Sequence, residues 1–298
     1  MKRRQFALAV VACVWALTSG GAMRAQQGNP AAPAPQFFLG RLSDSMCAAS
    51  HQAKAGAAGW TDRECIFECV KGLAKYVLVD QSNKVIPIAN QDAGGLPLYA
   101  GRPVRISGEL KDGAIQITRV EAIPAHLHLF HVMTNWRDTP GTRGFLPVAA
   151  DEARIASTHA KLAVKGPGID EMKLHAGHVL NALDPALEPK GPGAGYGVKK
   201  ATAGAMQHLE FATKGEGMTA NISAHAAPVT ASLTEVARLT DQATAVAQKA
   251  RSSTDAAEVS KLVGELDSLT TQISAGLQEA QNHMTQMLKG EGLESFPR

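Results

Sequence analysis

One segment is written twice in the second half of the chain, and it restricts that half to helical hairpins. The first copy, HAKLAVKGPGIDEMKLHAGHVLNAL, runs from His159 to Leu183; the second, HLEFATKGEGMTANISAHAAPVTASL, runs from His208 to Leu233. His159 answers to His208, and Lys165-Gly166-x-Gly168 to Lys214-Gly215-x-Gly217. After a one-residue insertion, His175 answers to His225 and Val179 to Val229. In each copy one histidine precedes the glycine turn by about two helical turns and another follows it by a similar distance. A helix that reverses there brings its two imidazoles to one level. Two such hairpins related by a pseudo-twofold are expected to place four imidazoles in one layer of a bundle.

The hydrophobic period divides the chain. From Phe37 to about Ile123 it is two, and FFLGRLSD, KYVLVDQ, KVIPIAN, RPVRISGEL and AIQITRVEAI read as strands. Ser82-Asn83 and Lys111-Asp112-Gly113 fall where hairpin turns belong. A short helix from Trp60 to Ala74 interrupts the strands. From Gly144 the period is 3.6, predicting helices over 144–165, 169–183, 198–213, 218–251 and 255–289. Pro228 is expected to kink or break the fourth. The last two carry matching apolar stripes, Val236, Leu239, Ala243, Val246 and Ala250 against Val259, Leu262, Leu266, Leu269 and Ile273, as in a long antiparallel coiled-coil hairpin. The expected fold class is therefore α+β in two domains. A small, closed, five-stranded OB-like β-barrel (37–123), with an open five-stranded sheet as the alternative, precedes an all-α, histidine-containing bundle (144–290). A connector (124–143) carrying His126, His128 and His131 joins them, and 291–298 is a tail.

The first residues read as targeting sequence. Lys2, Arg3 and Arg4 precede an apolar run from Phe6 to Leu17 that is too short to span a bilayer, and small residues lead to a cleavage site after Ala25 or Ala22. Residues 1–25 thus form a signal peptide and 26–36 a Pro/Ala linker, which predicts a periplasmic or secreted protein. The signal peptide holds four of the 30 basic residues and none of the 27 acidic ones, so the remainder is close to neutral. No basic stripe interleaved with aromatics appears, which argues against nucleic acid as a partner. No later run has the length of a membrane-spanning helix.

His159, His175, His208 and His225 all fall on apolar helical stripes. A buried imidazole needs partners for both ring nitrogens, and neutral imidazole is the commonest metal ligand. The neighbours Ala156, Ala163, Ala176, Gly177, Ala205, Ala212 and Ala226 are small, leaving volume for a porphyrin. No CxxCH is present, so a haem would be b-type, and no Glu-x-x-His pairs point to a di-iron site. His178 follows His175 by three residues, but its counterpart in the second copy is Pro228, which places it outside the repeated design and leaves it as a candidate asymmetric metal ligand or a core histidine. Hydrogen bonding of the histidines to Thr158, Ser223 or Thr230 is the alternative to a bound cofactor. The glycine-rich stretch Gly191 to Gly197 follows no strand and lacks the GxxxxGK[ST] pattern, so it reads as a linker, not a phosphate loop.

Beyond the signal peptide three cysteines remain. Cys47-x3-His51 and Cys65-x3-Cys69 together supply a Cys₃His set for a tetrahedral metal. In an oxidising compartment a disulfide from Cys47 to Cys69, or else to Cys65, is the expected use ahead of a metal. Gly40-x-x-x-Asp44-Ser45-x-Cys47, His51, Cys65-x3-Cys69-Val70, Gly72 and Tyr76-Val77-Leu78-Val79 carry a resemblance over residues 38–123. This segment resembles a recurrent class of secreted bacterial domains of unassigned function. The resemblance implies an OB-like module with a Cys/His feature and implies no activity.

These readings converge on a periplasmic or secreted binding protein. Its bundle would hold b-type haem or a transition-metal ion at His159, His175, His208 and His225, for electron transfer, metal handling or sensing. The competing expectation is a cofactor-free envelope scaffold that meets a protein partner through the long helical hairpin. No nucleophile elbow and no general acid or base is legible, so catalysis ranks behind both.

Overall fold

Alternating apolar residues draw the first part of the chain into one antiparallel sheet. The computed structural model describes residues 36–51, 60–80 and 82–293. The expected signal peptide and all of the linker except Gln36 lie outside the described residues. The strands are β1 (Gln36–Asp44), β2 (Tyr76–Val79), β3 (Val85–Pro87), β4 (Pro103–Lys111) and β5 (Ala114–Ala122), in the order β3-β2-β1-β4-β5. Each expected strand forms. Asp112 and Gly113 both take positive φ at the β4–β5 turn, the backbone that a two-residue hairpin requires.

The closed barrel expected from the sequence is not formed. The sheet is open, and its edges meet only at an isolated parallel bridge between Ile88 and Ile115. There the Ala89 N–H donates to Ile115 O at 2.9 Å, and the Asn90 amide bonds both the N–H and the C=O of Ile117. β3 is three residues long, too short to carry a full ladder to β5. Leu42, Leu78, Val104, Ile106 and Ile115 fill the space beneath the sheet together with Ile66 of α1 (Asp62–Lys71). Thr61 and Glu64 make a reciprocal capping box that starts α1. A four-residue helix, α2 (Leu96–Tyr99), precedes β4 and has no signal in the sequence periodicity.

Half of the expected connector is a helix, α3 (Pro124–Met133). Pro124 stands in its first turn, where a missing N–H costs nothing, and Ala125, Leu129, Phe130 and Val132 bury its inner face. The bundle follows as α4 (Phe145–Lys165), α5 (Ile169–Leu183), α6 (Val198–Lys214), α7 (Ala220–Ser252) and α8 (Ala256–Gly290). α7 continues unbroken past Pro228. Asp255 caps α8 by accepting from the N–H groups of Ala257 and Glu258, its own N–H donates to Ser253 Oγ, and the Glu258 carboxylate accepts from Ser253 and pairs with Lys249. α7 and α8 form the long antiparallel pair, with Ala247 in place of the expected Val246 on the buried stripe. Sheet and helices belong to one compact unit, with Ile123 and Leu39 packed into the bundle core.

Two buried polar networks hold the bundle's connections. The Glu152 carboxylate is fully buried and accepts from the N–H groups of Ala194 (3.2 Å), Tyr196 (3.0 Å) and Gly197 (3.0 Å). The glycine-rich stretch is thus an anion nest whose anion is the protein's own side chain. At the other end, residues expected to be tail are built in. Glu291 is buried and bonds His126, Thr219 and Asn221. Replacing Glu152 by Ala strands three amides, and stability should fall by about 3 kcal/mol. Glu152→Gln should fall between that variant and the parent. Urea denaturation midpoints check both.

Candidate metal centres

The repeat places its histidines by simple geometry in the first copy. His159 stands six residues before the end of α4 and His175 six after the start of α5. Gly166 and Gly168 make the reversal between them, so the imidazoles meet with Nδ1 atoms 3.1 Å apart. His178, one turn along α5, brings its Nδ1 to 3.3 Å from that of His159. All three rings are half-buried.

The second copy does not repeat this pairing. His208 of α6 meets α3, and its Nδ1 lies 3.1 Å from Nδ1 of both His128 and His131. His225 of α7 lies against His283 of α8, with ring centroids 5.8 Å apart. The expected single layer of His159, His175, His208 and His225 therefore does not form. The physical reason is that α3 packs on the face of α6 that carries His208 and occupies the position α5 holds beside α4. What recurs is a different arrangement. Each repeat-related histidine, His159 or His208, meets an i,i+3 histidine pair from a neighbouring helix: His175 with His178, or His128 with His131. In each trio the ligand atoms lie within 4.8 Å of one another.

These spacings suit a metal ion. With metal–nitrogen bonds of about 2.05 Å, tetrahedral ligands stand about 3.3 Å apart and adjacent octahedral ligands about 2.9 Å. The observed 3.1 and 3.3 Å fall in that range. Axial haem ligation needs two imidazoles on opposite sides of a macrocycle, whereas three nitrogens here converge on one point. The small residues expected to leave room for a porphyrin do something else. Ala156, Ala163, Ala176, Ala205 and Ala212 are fully buried by close helix packing, and Gly177 is covered by the Arg251 side chain. Thr158 is not a histidine partner either, since its hydroxyl donates to the Arg154 carbonyl of its own helix.

The two trios differ in surroundings. Around the second stand Trp136, with its centroid 4.7 Å from both His131 and His208, Phe145 at 5.3 Å from His208, and Phe211 at 5.2 Å from His128. Burial, with smaller contributions from His208 and His128, pushes the His131 imidazole down to about 4. Burial likewise lowers His128 and His208, and it lowers His159 and His178 with help from neighbouring imidazoles. These rings are neutral at pH 7, the form that carries a lone pair for a metal.

The cysteines converge at the end of β1. Cys47 Sγ lies 3.8 Å from both Cys65 Sγ and Cys69 Sγ, well beyond the roughly 2.05 Å of a disulfide, and favours neither. Burial, then hydrogen bonds with Cys65 and Cys69, push the Cys47 thiol up to about 12, and burial likewise raises Cys65. Sequence reasoning named the cysteines, His51, His159 and His175 of the first trio with His178 as a further metal candidate, and His208 of the second trio. It left His128 and His131 in the connector, although their i,i+3 spacing was the signal that marks them. Comparison of the chain with protein families, with curated proteins and with solved structures gives no match.

Metal-free protein should be acid-sensitive in a defined window. The folded chain excludes protons from these imidazoles, whereas the unfolded chain takes them up near pH 6.5. The unfolded state therefore binds more protons between about pH 6.5 and the His131 value near 4, and stability falls as pH drops through that window. Urea midpoints in chelator at stepped pH check this, and His131→Gln should flatten the slope.

Proposed function

We propose that this chain is a transition-metal-binding protein of the periplasm or the secreted fraction, holding one ion in each imidazole trio. The observation that carries the reading is the recurrence of one ligand pattern on repeat-related histidines. A chance contact of core histidines has no reason to appear twice with the same i,i+3 pair and the same nitrogen spacing. Each trio leaves a coordination position for water or a partner's ligand, because three protein nitrogens do not complete a tetrahedral shell. Rings that are half-buried, apart from the buried His208, together with an open position suit uptake and release of an ion, which favours metal handling over a closed structural site. The b-type haem alternative has less support, since the alanine neighbours are used in helix packing. The scaffold alternative has less support as well, because the apolar stripes of α7 and α8 lie inside the bundle core. The strand order, with Ile88 approaching Ile115 in parallel, favours the OB-like reading of the sheet as a support for the bundle.

The test uses full-length chain, stripped with chelator and with its thiols blocked, titrated with Cu(II). Two ions should bind with nitrogen hyperfine structure in the electron paramagnetic resonance spectrum. His159→Ala and His208→Ala should each remove one ion, and the double variant both, with the circular dichroism unchanged. His178→Ala should weaken one site by at least about tenfold, the loss that even an outer partner of a ligand causes. Two ions retained by the double variant would refute the reading. A Soret band on adding hemin, lost in that variant, would restore haem.

A further inference from the structure

The end of β1 carries a second kind of site whose argument does not depend on the bundle. Ser43 Oγ donates its proton to the Ala48 carbonyl at 2.6 Å, so toward the His51 Nε2 at 2.9 Å it acts as acceptor. That contact assigns the His51 ring proton to Nε2 and leaves Nδ1 as a bare lone pair. Nδ1 is buried and has no hydrogen-bond partner. Facing it at 3.6 Å is Asp44 Oδ2, also buried and also without a partner. The other oxygen, Oδ1, is held at 2.9 Å by the N–H groups of Met46 and Cys47, which aims the carboxylate. A buried acceptor facing a buried acceptor is unfavourable unless a cation stands near both. At 3.6 Å the gap is too long for a hydrogen bond from a doubly protonated ring.

The thiols stand beside this pair. Cys47 lies with Asp44 and His51 inside one 4.8 Å group and with Cys65 and Cys69 inside another. A tetrahedral ion with metal–sulfur bonds of about 2.3 Å has S···S edges of about 3.8 Å. The two measured separations from Cys47 are both 3.8 Å. Cys65 and Cys69 are set one turn apart by α1, whose capping box fixes its start, so two of the three sulfurs are presented on one face of a rigid element.

We infer that Cys47, Cys65 and Cys69 bind a zinc-class, thiophilic divalent ion as thiolates, with the fourth coordination position on the side of Cys47 where the unpartnered His51 Nδ1 and Asp44 Oδ2 stand. Binding releases the three thiol protons to solvent, and no redox change takes place. The ion ties the loop after β1 to α1, which a disulfide does through one bond and a metal through three. It also differs in class from the ions of the bundle, since sulfur ligands select softer metals than imidazole alone does.

The experiment is a Co(II) titration of the reduced, chelator-stripped full-length chain under anaerobic conditions. One equivalent should produce a sulfur-to-cobalt charge-transfer band with the intense visible absorption of tetrahedral cobalt, and Zn(II) should displace it. The His159→Ala, His208→Ala double variant should keep the band unchanged, so its loss of imidazole-bound copper and the presence of this band are read separately. Cys47→Ser should lose the band, and His51→Ala should keep it while shifting the visible absorption. In the unmutated chain Zn(II) should protect all three thiols from iodoacetamide, a result that needs no variant to fold. Absence of a charge-transfer band in the reduced parent chain would overturn the inference. So would peptide mapping of the exported protein that finds Cys47 in a disulfide with Cys69 or Cys65.

Discussion

The close approach of α4 to its neighbours is the contact on which the rest of the bundle depends. Ala149, Ala153, Ala156, Ala160 and Ala163 run along α4 with essentially no exposed surface. Methyl side chains lose no rotamer entropy on burial and let helix backbones approach closely. α5, α6 and α8 all pack on α4, so an error in its position would be carried to every other helix. The small volume that resembles room for a cofactor in the sequence is instead the means of bringing helices near enough for histidines on different helices to touch. Dense packing of this kind also explains why the ligand nitrogens sit at fixed separations, since interiors close to crystal density leave side chains little choice of rotamer.

Duplication and the grouping of the histidines have separated in this chain. The two hairpins keep the same turn and the same leading histidine, yet only the first uses its own second helix to complete a trio. In the second, α3 supplies the pair, and the histidine left behind, His225, stands against His283. Pro228, where the first copy has His178, is the local mark of that divergence, because proline offers no ligand. A metal ion is indifferent to which helix a ligand comes from and sensitive only to where the nitrogen is. An equivalent site can therefore be rebuilt from a neighbouring element once packing brings one to the correct level.

The sulfur-lined pocket and the imidazole trios answer different physical problems. Buried thiols resist ionisation, and a cation is what makes three thiolates in one place tolerable. Imidazoles are neutral at physiological pH and need only to be held apart from protons, which burial does. The same chain thus gathers thiols where α1 meets the turn after β1 and imidazoles in the bundle.

Local periodicity determined most of the elements. Five strands, all five long helices and the glycine reversals follow from alternation, 3.6-residue stripes and turn chemistry, and these are properties of neighbouring residues. The inward aim of His159 and His208 and the grouping of the cysteines were legible for the same reason. Sheet closure was not, because it depends on whether a three-residue β3 can reach β5, which is a matter of distance across the fold. Nor was α3, whose histidine-rich face hides the apolar stripe of Leu129, Phe130 and Val132. The partners of His208 were decided by tertiary structure alone. A ligand set is a fact about atoms several ångströms apart in space, and sequence spacing reports it only when all the ligands share one helix or one turn. His175 and His178, or His128 and His131, could be read as pairs; which third histidine completes each pair was settled when α4 and α6 packed.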